Sequence, residues 1–185
     1  MILVIDLEAT CWDRSDPLPP GEKISEIIEI GVAQLDLNYN FVKSYSFVVK
    51  PQFSKVSAFC TSLTGWTPEQ IEARGSNIKD ALKHLDEKFQ LSTVKEWWSY
   101  GLYDKKKLSG DKNLFGSLGD LYKIDSPFDE IVHINAKDEL SYMYDCRPVG
   151  MAKALKMLNM KLDGNHHNGE DDAKNIAKIV KHIMT

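Results

Sequence analysis

Met1-Ile2-Leu3-Val4-Ile5-Asp6-Leu7-Glu8 opens the chain. An unbroken apolar run of this length reads as a strand buried on both faces, and such strands rarely carry two carboxylates at their tip. Alternate residues of a strand share a face, so Asp6 and Glu8 project to the same side, a few ångströms apart. Like charges that close repel, and each is pushed toward its neutral form unless a cation stands between them. A hard divalent cation resolves the conflict, because Mg²⁺ takes oxygen ligands from one or two carboxylates and from substrate phosphate. Taken alone, the pair fits two hydrated acids at a strand end equally well.

Two later segments tip that balance. Trp97-Trp98-Ser99-Tyr100-Gly101-Leu102-Tyr103-Asp104 is an aromatic, β-prone stretch that breaks at Gly101 and delivers Asp104 to the start of a helix. His167-Asn168-Gly169-Glu170-Asp171-Asp172-Ala173 opens the last amphipathic helix. Each places a carboxylate at an element boundary. Either segment alone has a simpler reading, since Asp104 would serve as a cap and Asp171 and Asp172 as favourable charges at a helix N-terminus. The full series, D-E then D then H-D, is far more specific than any of its members.

In that series the chain resembles the DEDDh (DnaQ-like) 3′-5′ exonucleases of the ribonuclease-H-like superfamily. Within them it is similar to the branch of the 3′ histone mRNA exonuclease and the KapD-like proteins. The first motif stands as Asp6-Leu7-Glu8-Ala9-Thr10-Cys11-Trp12, followed by a loop at 17–22 and by Glu26-Ile27-Ile28-Glu29-Ile30-Gly31. Phe59-Cys60-Thr61-Ser62-Leu63-Thr64-Gly65 matches a second stretch, Ser99-Tyr100-Gly101-Leu102-Tyr103-Asp104 a third, and His167-x-Gly169-x-x-Asp172-Ala173 the last. The resemblance spans nearly the whole chain. Three positions depart from the pattern: Tyr100 for Trp, Trp66 for an aliphatic residue, and Glu170 for an apolar one, which adds charge beside the expected metals.

The resemblance implies an α/β fold with a five-stranded mixed sheet flanked by helices, and one exonuclease domain over 1–185. It implies two divalent ions, Mg²⁺ or Mn²⁺, held by Asp6, Glu8, Asp104 and Asp172. In phosphodiester hydrolysis two such ions, roughly 4 Å apart, activate a water and stabilise the entering and leaving oxygens. Asp6 is the expected bridge, Glu8 and Asp172 belong to the nucleophile side, and Asp104 to the second ion. His167, with an ordinary pKa near about 6.5, suits the general base. Leu7, Ala9, Thr10 and His167 are expected against the terminal nucleotide, with Leu63, Thr64, Gly65 and Trp66 as the opposite wall. The indole of Trp66 is a candidate for base stacking, with core packing as the other reading. The expected partner is nucleic acid with a free 3′ end, single-stranded RNA before DNA. A proofreading-type DNA exonuclease shares the same five residues, and a binding module without turnover is the remaining alternative.

Composition agrees. At 185 residues and 43% hydrophobic content the chain supplies one core. Cys11, Cys60 and Cys146 are odd in number and not spaced for zinc, which points to buried thiols, a reducing compartment and the cytoplasm. No apolar run approaches the roughly 20 residues that span a membrane, so no membrane is expected. Net charge −4 argues against a broad basic surface, though not against a nuclease whose metals bring positive charge.

Residues 1–7, 26–37, 42–50, 94–100 and 131–134 read as strands, with a hairpin turn at 38–40. Thr67-Pro68 starts a helix, and Ile78, Leu82, Leu85 and Phe89 recur at helical spacing in the next. Further helices are predicted at 136–144, 150–158 and 170–183. On the last one Ile176, Ile179, Val180 and Ile183 form the core stripe. Asp172, four residues before Ile176, shares that inward face, whereas Asp171 lies about 100° away. The resemblance implies a His five residues before the ligand Asp, with a small residue two after the His. His167, Gly169 and Asp172 match this, whereas His166 with Asp171 would put Asn168 at the small position.

Overall fold

The structure, a computed structural model, describes residues 1–15 and 24–185, so the motif loop at 17–22 lies outside the described residues. Five strands, β1 (Ile2–Ala9), β2 (Ile27–Leu35), β3 (Phe41–Val48), β4 (Glu96–Ser99) and β5 (Val132–Asn135), form one sheet in the order β3-β2-β1-β4-β5. The first three make an antiparallel meander, and β4 and β5 run parallel to β1. The helices are α1 (Ala58–Thr64), α2 (Pro68–Arg74), α3 (Ile78–Phe89), α4 (Tyr103–Lys107), α5 (Leu118–Tyr122), α6 (Ala136–Met143), α7 (Met151–Met157) and α8 (Gly169–Met184). None of the described helices is long and apolar enough to cross a membrane.

Strand β1 is buried on both faces, and its alternation sorts the core into two layers. Leu3, Ile5 and Leu7 pack with Ile78, Leu82, Leu85 and Phe89 of α3. Ile2 and Val4 pack on the other face with Ile176, Ile179 and Val180 of α8 and Leu140 of α6. A one-residue slip would exchange the two sets, so both layers together lock the register. Asp6 and Glu8 continue the Ile2–Val4 row and therefore face the start of α8.

The sheet edges differ from the sequence reading by a residue or two. Strand β2 stops at Leu35 because Asp36 turns the chain, its Oδ1 accepting the N–H groups of Asn38 and Asn40, both at 2.8 Å. Tyr39 takes the left-handed conformation in that turn (φ 60°). Helices α1 and α5 were not read from the sequence. Each is short and begins at a serine cap, Ser57 and Ser117, whose hydroxyl accepts an N–H of the first turn.

Candidate active site

Oxygens of Asp6, Glu8 and Asp172 lie within 4.8 Å of one another. Asp104 joins them from α4, its Oδ1 accepting the N–H of Leu7 at 3.1 Å, between the two strand acids. Glu8, Asp104 and Asp172 are 8%, 5% and 3% exposed. Burial pushes the Glu8 carboxyl up to about 8, with Glu29, Asp172 and Asp104 adding to the shift. Asp104 is raised to about 7, again by burial, against the opposing pull of the Leu7 N–H. Asp6 is raised by burial and then by Asp104, Glu8, Asp172 and Glu29. Four acids crowded this closely are a site that wants a cation. Asp172 Oδ1 makes the same point, being buried with no hydrogen-bond partner among the described residues. The donor set, all carboxylate oxygen, fits Mg²⁺ or Mn²⁺.

Three local devices hold these acids in place. Strand alternation aims Asp6 and Glu8. At the end of β4 the chain turns through Gly101 (φ 116°), whose N–H donates to Asn135 Oδ1 at 2.8 Å. Ser99 Oγ donates to Gly101 O at 2.9 Å and lies 2.9 Å from His133 Nε2. The third device is Glu29, a member of the Glu26–Gly31 motif whose role the motif alone does not reveal. Its fully buried carboxylate accepts from Gly169 N at 3.0 Å, Glu170 N at 3.3 Å, Ser46 Oγ at 2.7 Å and Trp66 Nε1 at 2.7 Å. It thereby fastens the first turn of α8 to β2, the favourable place for a negative charge. A lone acid inside an otherwise apolar strand was the available signal.

Asp171 and Asp172 part company at this helix start. Asp171 turns to Lys174 Nζ at 2.6 Å and the N–H of Asn165 at 2.9 Å, while Asp172 faces the cluster. The two histidines divide differently. His167, in the left-handed conformation (φ 66°), donates its N–H to Asp172 Oδ2 at 2.9 Å. The imidazole beside that oxygen belongs to His166, with Nδ1 at 2.8 Å. The rings stack with centroids 4.0 Å apart, leaving that of His167 partly exposed. Burial and the neighbouring His166 hold the pKa of His167 below its ordinary value.

The expected nucleotide pocket is only partly presented. Ala9, Leu63, Gly65 and His167 keep exposed surface. Leu7 (6% exposed) belongs to the core under α3. Thr10 is fully buried, its hydroxyl accepting the Glu26 N–H and donating to Ile24 O, so it has no surface to offer a sugar. Thr64 Oγ1 is taken by Cys60 O and the Trp66 N–H. Trp66 as a base-stacking platform is corrected too. Its indole is 6% exposed, packs with Ile28, Val48, Cys60 and Ile71, and has Arg74 over its ring. Glu170 likewise points its carboxylate to Ser44 Oγ at 2.6 Å rather than to the acidic cluster.

Comparison with known proteins agrees with this geometry. A family model described as Exonuclease (RNase_T) matches residues 3–180. The 3'-5' exoribonuclease 1 of Homo sapiens is 30% identical over 189 residues, a match covering 99% of this chain and 52% of that protein. ERI1 exoribonuclease 3 of Mus musculus is 32% identical over 190 residues, covering 97% and 52%. The chain thus spans about half the length of the curated relatives it matches. Among solved structures, the nuclease domain of 3'hExo, a DEDDh family member bound to rAMP, aligns with a TM-score of 0.79 at 29% identity, over 99% of this chain and 90% of that one.

Proposed function

Because the chain belongs to the RNase_T exonuclease family, we propose that it removes nucleotides one at a time from the 3′ end of single-stranded nucleic acid, RNA in preference to DNA, releasing 5′-mononucleotides. The observation that carries this reading is the convergence of Asp6, Glu8, Asp104 and Asp172 on one buried point, with Asp172 Oδ1 unpaired among the described residues. Residues 1–185 act as one exonuclease domain. The free thiols of Cys11, Cys60 and Cys146 support a reducing compartment, and hence the cytoplasm.

Asp6, at the centre of the cluster, would hold two divalent ions, Mg²⁺ or Mn²⁺, together with Glu8, Asp172 and Asp104. When bound, such a pair supplies the positive charge that lowers the pKa of water and offsets the charge gathering on phosphorus. The chain's own residues do the rest. His167, whose pKa burial and the neighbouring His166 hold below its ordinary value, takes the proton of the attacking water on its imidazole. His166 and the N–H of His167 orient Asp172. Leu63 and Gly65 on one side and Ala9 on the other flank the terminal nucleotide.

The test is a time course on 5′-labelled RNA and DNA strands of one sequence, with Mg²⁺, Mn²⁺ or chelator. A ladder shortening from the 3′ end, stopped by chelator and faster on RNA, is the expected result. Cleavage of a circular strand, or full activity in chelator, contradicts the reading. Equal or faster turnover of DNA favours a proofreading-type enzyme.

A further inference from the structure

Beside the acidic cluster lies a cavity of about 370 Å³, within the roughly 300–1,000 Å³ range of ligand sites. Its lining includes Leu63 of α1, Gln70 and Arg74 of α2, and Asn165, His166 and Asn168 of the loop before α8. His166 connects it to the metal site, since its Nδ1 stands 2.8 Å from Asp172 Oδ2. Leu63 and Gly65, proposed above to flank the terminal nucleotide, line it together with Thr64 and Trp66, so the cavity continues directly from that wall. In a chain of net charge −4, no carboxylate is among the described residues that line it.

Arg74 gives the cavity its charge. The guanidinium sits over the Trp66 ring, 4.9 Å from the centroid, and makes no ion pair among the described residues. Trp66 is itself anchored on Glu29 at 2.7 Å, so the guanidinium rests on a fixed platform with its N–H edges available. A planar, preoriented guanidinium is the side chain best matched to a phosphodiester. The amides nearby are donors as well. Gln70 Oε1 is occupied by the Thr67 N–H and Asn168 Oδ1 by the Asp171 N–H, which leaves the NH₂ of each side chain for a ligand.

We propose that this cavity holds the second nucleotide from the 3′ end, with its phosphodiester on Arg74 and its base against the amides of Gln70 and Asn168. The assignment rests on the exonuclease reading and adds the subsite that distinguishes a strand from a mononucleotide.

Two constants separate the subsites: the KM of an RNA oligonucleotide, which would fill both, and the inhibition constant of adenosine 5′-monophosphate, which needs only the terminal one. Arg74→Gln keeps a planar group over Trp66 while removing the charge, and Arg74→Lys keeps the charge without the plane. The ratio of KM to inhibition constant should rise about tenfold in Arg74→Gln, as expected for a lost charge-assisted hydrogen bond, and less in Arg74→Lys. Thermal melts establish that each variant folds. An active wild-type protein whose two constants change equally, or not at all, in Arg74→Gln overturns this assignment alone. A wild-type protein that shortens no strand overturns it together with the exonuclease reading.

Discussion

A Cβ placed on Gly31 would stand 1.9 Å from the carbonyl carbon of Gly169, so the first turn of α8 rests directly on β2. Gly31 is the register partner of Asp6 on the neighbouring strand. This backbone-on-backbone contact brings Asp172 over Asp6 and Glu8, and Glu29, two residues earlier on β2, holds it by accepting the N–H of Gly169. The acidic site is therefore built as much by a missing side chain as by the carboxylates.

Gly31→Ala should consequently damage stability and metal binding together. The added methyl meets backbone, which cannot rotate aside, so the cost belongs at or above the upper end of overpacking, about 3 kcal/mol. For a chain of this size that is roughly a 6–12 °C fall in Tm. A melt within 2 °C of wild type, measured by circular dichroism, would show that α8 does not rest on β2 in this way.

Ligand and base should separate cleanly. Asp6→Ala removes the central oxygen donor and is expected to abolish both metal binding and activity. His167→Ala should leave metal binding largely intact and lower kcat by roughly 10²–10⁴-fold. Calorimetry in which both variants lose the metal equally would refute this division of roles.

Trp66→Phe tests the indole as a structural donor. The variant keeps most of the apolar packing but leaves the buried Glu29 carboxylate one donor short, at a cost of about 1–3 kcal/mol. Base stacking would instead predict a raised oligonucleotide KM in a protein of unchanged stability. Denaturant titration and steady-state kinetics on the same variant decide between them.

Protonation should govern the stability of the metal-free protein. Glu8 is raised from 4.5 to about 8 on folding, so its favourable contribution is fully present below pH 4.5 and is lost as pH rises through about 8. Glu8→Gln has no charge to develop. In chelator, its Tm should gain on that of wild type steadily between pH 5 and pH 8. Added Mg²⁺ should stabilise wild type more at pH 8 than at pH 6, because protons no longer compete for the ligands. A pH-independent difference between the two proteins would rule out Glu8 as the titrating group.

The chain's order of elements and its acidic ligands were readable in the linear sequence because both follow from short-range periodicity. Alternation along Ile2 to Glu8 sets which face each side chain takes, and the helical stripe from Asp172 through Ile176 to Val180 does the same for α8. The stretch from Phe59 to Gly65 carries the resemblance, yet helix α1 is not legible in it, since seven residues capped by Ser57 hold too little periodicity to stand out.

What only the tertiary structure decided is how polar groups far apart in sequence use one another up. Thr10 and Trp66 carry groups that suit a nucleotide, but Glu26 and Glu29 already occupy them, and no local pattern records a partner 16 or 37 residues away. Likewise His166 and His167 are indistinguishable as neighbours in sequence. The left-handed backbone at His167 and the approach of α8 to β2 at Gly31 determine which ring lies on Asp172. Periodicity governs the direction of a side chain, whereas burial and hydrogen-bond satisfaction depend on everything that packs around it.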